Sequence, residues 1–410
     1  MRIVESTDER AVAAVLDRSA ARNPQIEQAV ARIIADVRGR GDAAVREYAQ
    51  RFDGLVGAFE VTGAEMRQGA GQVAPGVKRA IRHAAANIRH VARRQVPRAW
   101  RTSPVAGVTI EQRVTPLDRV GCYVPGGRYP LPSSLLMTAI PARAAGVREV
   151  IAVCPKPDST VMLAALEAGV TRLFRLGGAH AIAALAYGTG GVPRVDKIVG
   201  PGNAYVAAAK SQVAADCAID FFAGPSEILI VTSRGRAAWI AADLIAQAEH
   251  DEDARAVLVT PSRRLADAVA AEIAAQMPAA GPAAPALARH GAIIVTRTLG
   301  EAIALSNRMA PEHVVCESRA VAAKLTRAGT VFVGEFSAQA SGDYVTGSNH
   351  VLPTSGAARA RGGLSAADYV RVATVQTVTR AGIRRIGGHG VALAVAEGLE
   401  AHAASIRKRL

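Results

Sequence analysis

The sequence of 410 residues lacks the features of disulfide-stabilised, zinc-ribbon and membrane-spanning proteins. Its four cysteines lie far apart and form no CxxC pair, so neither a disulfide framework nor a zinc ribbon is indicated. They are Cys122, Cys154, Cys217 and Cys316. No apolar run approaches the roughly 18 residues of a membrane span, and the charged N-terminus has no apolar signal core. We therefore expect a cytoplasmic protein with no membrane partner.

Aromatic residues and lysines are also scarce. Aromatic side chains make up 4% of the chain, but hydrophobic residues make up 50%, which is enough to form a sizeable aliphatic core. The net charge of +14 taken alone favours a polyanionic partner such as nucleic acid. However, only six of the 49 basic residues are lysines, and the arginines are spread along the chain instead of forming one basic arm. We expect no nucleic-acid partner, and nucleic-acid association remains the alternative that the charge supports.

Several common catalytic motifs are absent. The chain has no P-loop, no HExxH, no nucleophile elbow and no complete GxGxxG fingerprint, since Tyr205 stands where the third glycine would follow Gly200 and Gly202. These absences exclude the commonest P-loop kinases, zinc proteases and α/β-hydrolases. The chemistry must depend on scattered Gln, His, Asp and Glu side chains.

Short β-rich runs alternate with helical segments after residue 104, which predicts parallel sheets with crossover helices. The length fits two α/β units better than one. The preceding residues are helical in pattern, a glycine-proline turn at 223–226 divides the two units, and the pattern is helical again from about 366 to the end. The predicted strands are 118–124, 149–154, 172–175, 197–200, 228–232, 256–260, 292–296, 314–316 and 330–333. The predicted helices include 133–145, 178–187, 203–214, 235–250 and 262–276.

Three glycine-rich segments each follow a predicted strand and precede a predicted helix. They are 121–127, 176–179 and 200–203. Doubly wound sheets bind ligands at such places, because helix N-termini direct backbone N–H groups at anions. Tight turns that need glycine for positive φ explain the same residues equally well. The residues alone therefore leave a dinucleotide site open.

Two pairs of residues could bind a metal or move protons. Gln247 and His250 lie three residues apart near the end of a predicted helix, so one cation could contact both, although a histidine there also suits the helix dipole. Glu312 and His313 are adjacent and could act as general acid and base, or be a surface glutamate beside a partly buried histidine.

Two further places are ambiguous. Asp343 and His350 lie in a polar, glycine-broken loop that is either a connector or a site. Glu397 and His402 lie on the last predicted helix, where both would ordinarily be surface residues.

Eight segments resemble, in order and spacing, those of the L-histidinol dehydrogenase family. Examples are GPGNAYVAAAK at 200–210 and SGDYVTGSNHVLPT at 341–354. The full set is 40–54, 119–137, 200–210, 223–230, 246–251, 311–314, 341–354 and 397–402. Together they span nearly the whole chain, and their joint order is far more specific than any one of them.

The resemblance implies the fold and its division. We expect two doubly wound α/β units, Rossmann-like and aldehyde-dehydrogenase-like, with a helical N-terminal region and a small helical C-terminal arm. Residues 1–118 are expected to pack with 227–365 as one domain, and 119–226 to form the cofactor-side domain. Residues 366–410 are expected to form an arm that reaches a partner subunit, which gives a homodimer with shared active sites.

The resemblance also implies a reaction and a metal. Members of the family oxidise histidinol to histidine through histidinal, using two NAD and one water. It implies one Zn²⁺ per subunit, held by Gln247, His250, Asp343 and, from the partner subunit, His402. This set of nitrogen and oxygen donors suits zinc.

The resemblance assigns catalysis to two matched residues. His313 would take the alcohol proton while hydride leaves for NAD, and Glu312 would activate the water that hydrates the aldehyde. The residues implied to contact substrate are Ser226, Gln247, His250, His313, Asp343, His350 and, from the partner subunit, Glu397 and His402.

Tyr123 and Asn203 match cofactor contacts, as does position 180, where the family usually has Gln and this chain has His180. An imidazole can still donate one hydrogen bond, so we expect NAD use to be retained. Cys122 lies beside Tyr123, but the matched chemistry requires no covalent thiohemiacetal. A zinc enzyme of similar sequence that oxidises another small amino alcohol is the alternative function.

Overall fold

The computed structural model describes residues 1–16, 23–126, 129–222 and 224–410. Gly127 and Ala223, which belong to two of the segments above, lie outside the described residues. The strands are β1 (Arg2–Glu5), β2 (Glu60–Val61), β3 (Trp100–Val105), β4 (Val108–Pro116), β5 (Arg119–Tyr123), β6 (Glu149–Val153), β7 (Arg172–Phe174), β8 (Lys197–Val199), β9 (Ala218–Ile219), β10 (Glu227–Val231), β11 (Arg255–Thr260), β12 (Ala292–Val295), β13 (His313–Cys316), β14 (Thr330–Val333) and β15 (Val370–Val378).

The α-helices lie between and around these strands. They are α1 (Glu9–Leu16), α2 (Pro24–Arg40), α3 (Asp42–Tyr48), α4 (Gly63–Gly71), α5 (Pro75–Gln95), α6 (Pro132–Ala145), α7 (Ser159–Ala168), α8 (Gly178–Tyr187), α9 (Ala204–Val213), α10 (Ala237–Ala248), α11 (Arg263–Gln276), α12 (Ala283–His290), α13 (Leu299–Met309), α14 (Arg319–Ala322), α15 (Gln339–Tyr344), α16 (Arg380–Ala396) and α17 (Glu400–Arg407). A π-helix covers Ala49–Asp53, and short 3₁₀ turns cover Ala357–Arg359 and Ala366–Tyr369.

Two six-stranded sheets have the same winding. The first large sheet has the order β2-β7-β6-β5-β8-β9, and the second has the order β1-β12-β11-β10-β13-β14. In each, β5 or β10 is a central strand. From it the chain forms two parallel strands on one side and then two on the other, and β2 or β1 is the sixth strand, at an edge. This is the doubly wound arrangement, so the predicted fold class is confirmed.

Apolar side chains cover both faces of each sheet. In β6, Val150 and Ala152 join the core on one face, whereas Ile151 and Val153 join the core on the other. The same alternation divides the second large sheet between helices α10–α12 on one face and α1 and α13 on the other. Strands buried on both faces are read from continuous apolar runs, which explains why the central strands were predicted.

The N-terminal region differs from its prediction. β1 and α1 join the second large sheet as expected, but β2 pairs with β7 of the first sheet, α2 packs on α8 and α9, and α5 packs on α6. The expected packing of 1–118 against 227–365 is therefore wrong for most of that segment. The apolar stripe of α2, from Val30 to Val37, completes the core of the 119–226 unit.

The C-terminal arm is not wholly helical. β15 pairs antiparallel with β4 along its whole length, and β4 pairs with β3 to complete a small three-stranded sheet. The sequence prediction of helix is wrong over 370–378, where Val and Thr, the β-branched residues that favour strands, occupy six of the nine positions. No helix in the described residues is both long and apolar enough to cross a membrane.

Candidate active site

Glu312 and His313 lie at the start of β13, beside the first residues of β10. Both side chains are buried, and the backbone of Glu227 holds both: its carbonyl oxygen lies 2.9 Å from His313 Nδ1, and its N–H donates to Glu312 Oε2 at 2.7 Å. A carbonyl can only accept, so Nδ1 carries the proton and Nε2 keeps its lone pair. His313 is therefore held as a base with one free nitrogen.

Asp343, on α15, lies among three histidines. Its carboxylate oxygens are 4.0 Å from His250 Nε2, 4.0 Å from His313 Nε2 and 3.9 Å from His350 Nδ1. Gln339 Nε2 donates to Oδ2 at 2.7 Å, and His350 Nδ1 donates to the Asp343 carbonyl at 3.0 Å. Burial lowers the pKa of His313 to about 4 and lowers the pKa of His350, while the Asp343 charge opposes both shifts. Both imidazoles are therefore neutral near pH 7.

Gln247 is fully buried on α10, which packs on α15. Neither its amide oxygen nor its amide nitrogen has a hydrogen-bond partner in the described part of the chain. An unpaired buried amide costs about 1–3 kcal/mol, so such a group calls for a ligand. His250 Nδ1 donates to the Gln247 carbonyl at 3.2 Å, which leaves Nε2 free.

These donors fit zinc. Gln247 offers an amide oxygen from α10, His250 offers Nε2 from the turn that follows α10, and Asp343 offers a carboxylate from α15, which contacts α10. No group of three or more His, Cys, Asp or Glu side chains within 1–16, 23–126, 129–222 and 224–410 could hold a metal ion. This chain would therefore supply an incomplete donor set, one of whose members is an amide.

Ser226 immediately precedes Glu227, and its carbonyl accepts the N–H of Arg255 at 2.9 Å. Ser226 is half-buried, next in sequence to the residue whose backbone holds Glu312 and His313. Glu397 caps the C-terminal end of α16 and His402 lies on α17, where both are exposed. No hydrogen bond or ion pair links either of them to Asp343 or His250 in the part of the chain that the structure describes.

The residues predicted to contact the cofactor lie at the carboxyl ends of β5, β7 and β8 in the first large sheet. Because β5 and β8 are neighbours from which the chain leaves in opposite directions, this is the switch point where such sheets bind ligands. Tyr123 Oη accepts the Gly178 N–H at 3.1 Å, and burial raises its pKa to about 12. Asn203 Oδ1 caps α9 by accepting the N–H groups of residues 205 and 206, both at 3.1 Å.

Comparison with known proteins decides the family. A profile described as histidinol dehydrogenase matches residues 16–410. The histidinol dehydrogenase of Geobacter metallireducens is 45% identical over 415 residues, covering 97% of this chain and 95% of the relative. That of Geobacillus kaustophilus is 47% identical over 396 residues, covering 93% of each. The crystal structure of histidinol dehydrogenase from Elizabethkingia anophelis superposes with a TM-score of 0.94 at 31% identity, covering 100% of this chain and 98% of the other.

The chain belongs to the histidinol dehydrogenase family. The resemblance seen in its sequence segments is thereby confirmed, and with it an oxidoreductase fold. The histidinol dehydrogenase family converts histidinol to histidine in histidine biosynthesis and depends on NAD.

The histidinol dehydrogenase fold brings together most of the predicted site. His250, His313 and His350 surround the Asp343 carboxylate, and Gln247 lies on α10, which packs on the helix of Asp343. The side chain of His180 is buried and faces Asp53, so its cofactor contact stays a prediction. Cys122 is fully buried, and burial raises the pKa of its thiol to about 12, which disfavours a nucleophilic thiolate.

Sequence reasoning missed the buried pair Lys210 and Asp220. These side chains form an ion pair, Lys210 Nζ donates to the Gly200 carbonyl at 2.9 Å, and Asp220 accepts the Gly200 N–H at 2.8 Å. Together they hold a turn that needs glycine, since Gly200 has φ +117° and a Cβ there would overlap the Tyr123 carbonyl. A lone lysine in an apolar helix of a chain with six lysines was the available signal.

Proposed function

We propose that this chain oxidises L-histidinol to L-histidine through histidinal, reducing two NAD and consuming one water. The observation that carries the proposal is the buried group around Asp343 in a chain of this family: the free nitrogen of His313 lies near the carboxylate, and α10, which carries the unpartnered Gln247 amide, packs on α15.

Zinc is proposed to bind Gln247, His250, Asp343 and His402 of the partner subunit. The orphaned Gln247 amide and the free Nε2 of His250 support this set. When bound, the metal supplies a Lewis acid that orients the amino alcohol and favours its ionised form. The remaining chemistry belongs to side chains of the protein.

His313 is proposed to act in the first oxidation. Its Nε2 accepts the hydroxyl proton while the carbinol carbon gives a hydride to the nicotinamide, so the alcohol becomes an aldehyde. The neutral imidazole has its lone pair available, and the nearby Asp343 carboxylate favours the imidazolium that forms. The Glu227 carbonyl keeps the reactive nitrogen in place.

Glu312 is proposed to act between the two oxidations. Its carboxylate accepts a proton from water as the water oxygen bonds to the aldehyde carbon, and the aldehyde oxygen takes the proton that His313 holds from the first oxidation, which gives the hydrate and returns His313 to its neutral form. The hydrate then loses a proton to His313 and a hydride to a second nicotinamide, which leaves the carboxylic acid. Because the Glu227 N–H fixes one carboxylate oxygen, Glu312 enters this step pre-positioned.

A homodimer with shared active sites is proposed, because two of the predicted site residues lie on the exposed arm and make no hydrogen bond or ion pair with Asp343 or His250 in the described part of their own chain. The arm of a second copy can supply them to that site. Glu397 and His402 face solvent, and the arm also exposes Leu393, Val395 and Leu399. An exposed apolar stripe on a projecting arm suits burial against a second copy. A cytoplasmic location is proposed, and the four free, buried cysteines are compatible with a reducing compartment.

Zinc content measured together with histidinol-dependent NADH formation tests the function. We expect close to one zinc per chain, two NADH per histidinol consumed, and loss of activity with a chelator. Absence of turnover at millimolar histidinol would overturn the proposal. Faster turnover of another amino alcohol in a parallel panel would favour the alternative substrate.

A further inference from the structure

Segment 40–54 is one of the matched segments, yet none of its residues has an assigned role. It ends in the π-helix Ala49–Asp53, closed by Gly54 at φ 68°. A π-turn shifts side chains out of α-helical register, and such turns are frequent at functional sites. Here the shift places Asp53 against the turn between β7 and α8. The contacts join residues more than 120 positions apart.

Asp53 makes two contacts at that turn. Its Oδ2 accepts the Gly177 N–H at 3.0 Å and lies 3.0 Å from His180 Nε2. A carboxylate accepts at neutral pH, so Nε2 carries the proton and Nδ1 is left as an acceptor. Tyr48 and Phe52, which stack on each other with ring centroids 5.7 Å apart, lie beside the imidazole, with ring centroids 6.1 and 6.3 Å from it. The carboxylate and the two rings fix both the tautomer and the orientation of His180.

His180 Nδ1 is the atom of this cluster that needs a ligand. It is buried and has no hydrogen-bond partner in the described part of the chain. A Cβ on Gly177 would lie 2.9 Å from Asp53 and Pro155, so that side of the turn is filled. A Cβ on Gly178 would meet, among the described residues, the His180 ring alone, at 3.6 Å from Nδ1. The unpartnered nitrogen therefore borders the open side of the turn.

We propose that Asp53 is a positioning residue of the cofactor site, which commits His180 to the tautomer that accepts a hydrogen bond from an amide or amino N–H of the nicotinamide cofactor. The inference rests on the proposed function for the identity of the ligand. Asp53 acts through His180 and through the Gly177 amide, and it touches neither substrate nor cofactor.

Four variants isolate this role. Asp53→Asn keeps an oxygen for the Gly177 N–H but removes the charge that makes this oxygen a strong acceptor for the His180 Nε2–H, and so weakens the preference for one tautomer. His180→Gln replaces the imidazole with an amide that can rotate to accept, and the double variant tests whether the two residues act together. Asp42→Asn is the matched control, because Asp42 likewise accepts a glycine N–H, that of Gly191 at 3.1 Å, in the loop after α8.

Asp53→Asn should raise the KM for NAD about tenfold while leaving kcat and the KM for histidinol within about twofold, as expected when a supporting residue is lost. NADH binding measured by fluorescence titration without substrate should weaken by the same factor. In the His180→Gln background, Asp53→Asn should change NADH affinity less than about threefold. Asp42→Asn should leave NADH affinity unchanged.

Equal losses in Asp53→Asn and Asp42→Asn, or the same loss in both His180 backgrounds, would overturn the inference. If Asp53→Asn does not fold, ¹⁵N shifts of His180, assigned by their absence in His180→Gln, decide: an Nδ1-protonated ring in the wild type overturns it. If the wild type binds NADH with this ranking of variants yet ignores histidinol, the proposed function fails and the positioning role stands. If histidinol turnover is normal and the ranking of variants is absent, the proposed function stands and the positioning role of Asp53 fails.

Discussion

The backbone of Glu227 holds the two side chains that are proposed to act in catalysis. It fixes Nδ1 of His313 and Oε2 of Glu312. His313 keeps a free Nε2, which both oxidations need, whereas Glu312 is proposed to serve only the hydration. His313→Asn should therefore slow NADH formation from histidinol and from histidinal alike, by about 10²–10⁴-fold. Glu312→Gln should slow the histidinal reaction more than the histidinol reaction. Single-turnover rates with each substrate supplied separately measure the two effects, and equal losses in Glu312→Gln would contradict the division of roles.

The buried amide of Gln247 is costly to the protein without metal. Gln247→Met keeps the shape and removes the unpaired polar atoms, so the chelator-treated variant should be more stable than the chelator-treated wild type by about 1–3 kcal/mol. Added zinc should raise the unfolding midpoint of the wild type and leave that of the variant almost unchanged. Urea unfolding with and without zinc measures both quantities.

Ser306 provides the control for Gln247. Its hydroxyl is also buried and has no partner among the described residues, but it lies on α13, away from the proposed donors. Ser306→Ala should gain stability without losing the response to zinc. A zinc response retained by Gln247→Met would remove Gln247 from the metal site.

At the scale of single residues, the sequence predicted the group around Asp343, because the family segments carry those side chains in order. It did not predict Asp53. The partners of Asp53 lie 124 and 127 positions further along the chain. Such a contact depends on how the N-terminal helices pack, and the spacing of residues near Asp53 in the sequence does not predict it.

Helix α10 carries a second polar group whose burial is unfavourable, the carboxyl group of Asp243, one turn before Gln247. Burial raises the pKa of Asp243 to about 6, from 3.8. The folded state therefore binds the proton of the Asp243 carboxyl more tightly than the unfolded state does. The resulting loss of folding stability is absent below pH 3.8, grows between pH 3.8 and about 6, and is complete above about pH 6. Asp243→Asn should stabilise the protein by about 1–2 kcal/mol at pH 8, allowing for partial exposure of the group.

The gain from Asp243→Asn should shrink as pH falls toward 4. Urea unfolding of variant and wild type at pH 8, 6 and 4.5 measures it. Asp267 on α11 is exposed and pairs with Arg263, so Asp267→Asn serves as a control with no such pH-dependent gain. A constant gain for Asp243→Asn at all three pH values would contradict a pKa near 6.

At the scale of elements, the central strands and the edge strand β14 were predicted, whereas the edge strands β1, β2 and β9 were not. β5, β6, β10 and β11 are apolar on both faces, so continuous runs reveal them. The sequence did not predict β2 and β9, which have two residues each. Whether so short a segment becomes a strand depends on the neighbour that it pairs with, since its own pattern is too short to decide.

At the scale of the whole molecule, the C-terminal arm is the part of the chain that the proposed dimer depends on. Its root is the antiparallel pairing of β15 with β4, so α16 and α17 are carried on a sheet edge instead of lying on either large sheet. The central strands of both large sheets were predictable because each sheet is buried on both faces, so its strands are continuous apolar runs in the sequence. The arm was predicted as wholly helical because its strand depends on a partner more than 250 residues earlier in the chain.

A shared site makes a prediction about mixed dimers. His402→Ala and His250→Ala should each be inactive. In a mixed dimer, the His402→Ala chain supplies an intact His250, and its partner supplies an intact His402, so one of the two sites is complete. After exchange of equal amounts, half of the dimers are mixed and half of their sites work, so activity should recover to about a quarter of the wild-type level.

Two arm variants give the control for this experiment. Mixing His402→Ala with Glu397→Ala should restore nothing, because each site then receives an arm that lacks one of the two residues. Mixed dimers verified by differently tagged chains are needed, since recovery is counted per mixed dimer. No recovery from verified His402→Ala and His250→Ala dimers would place His402 in the site of its own chain. In that case the exposed arm would have to fold back toward α10 on binding zinc, and the isolated subunit would be a complete catalyst.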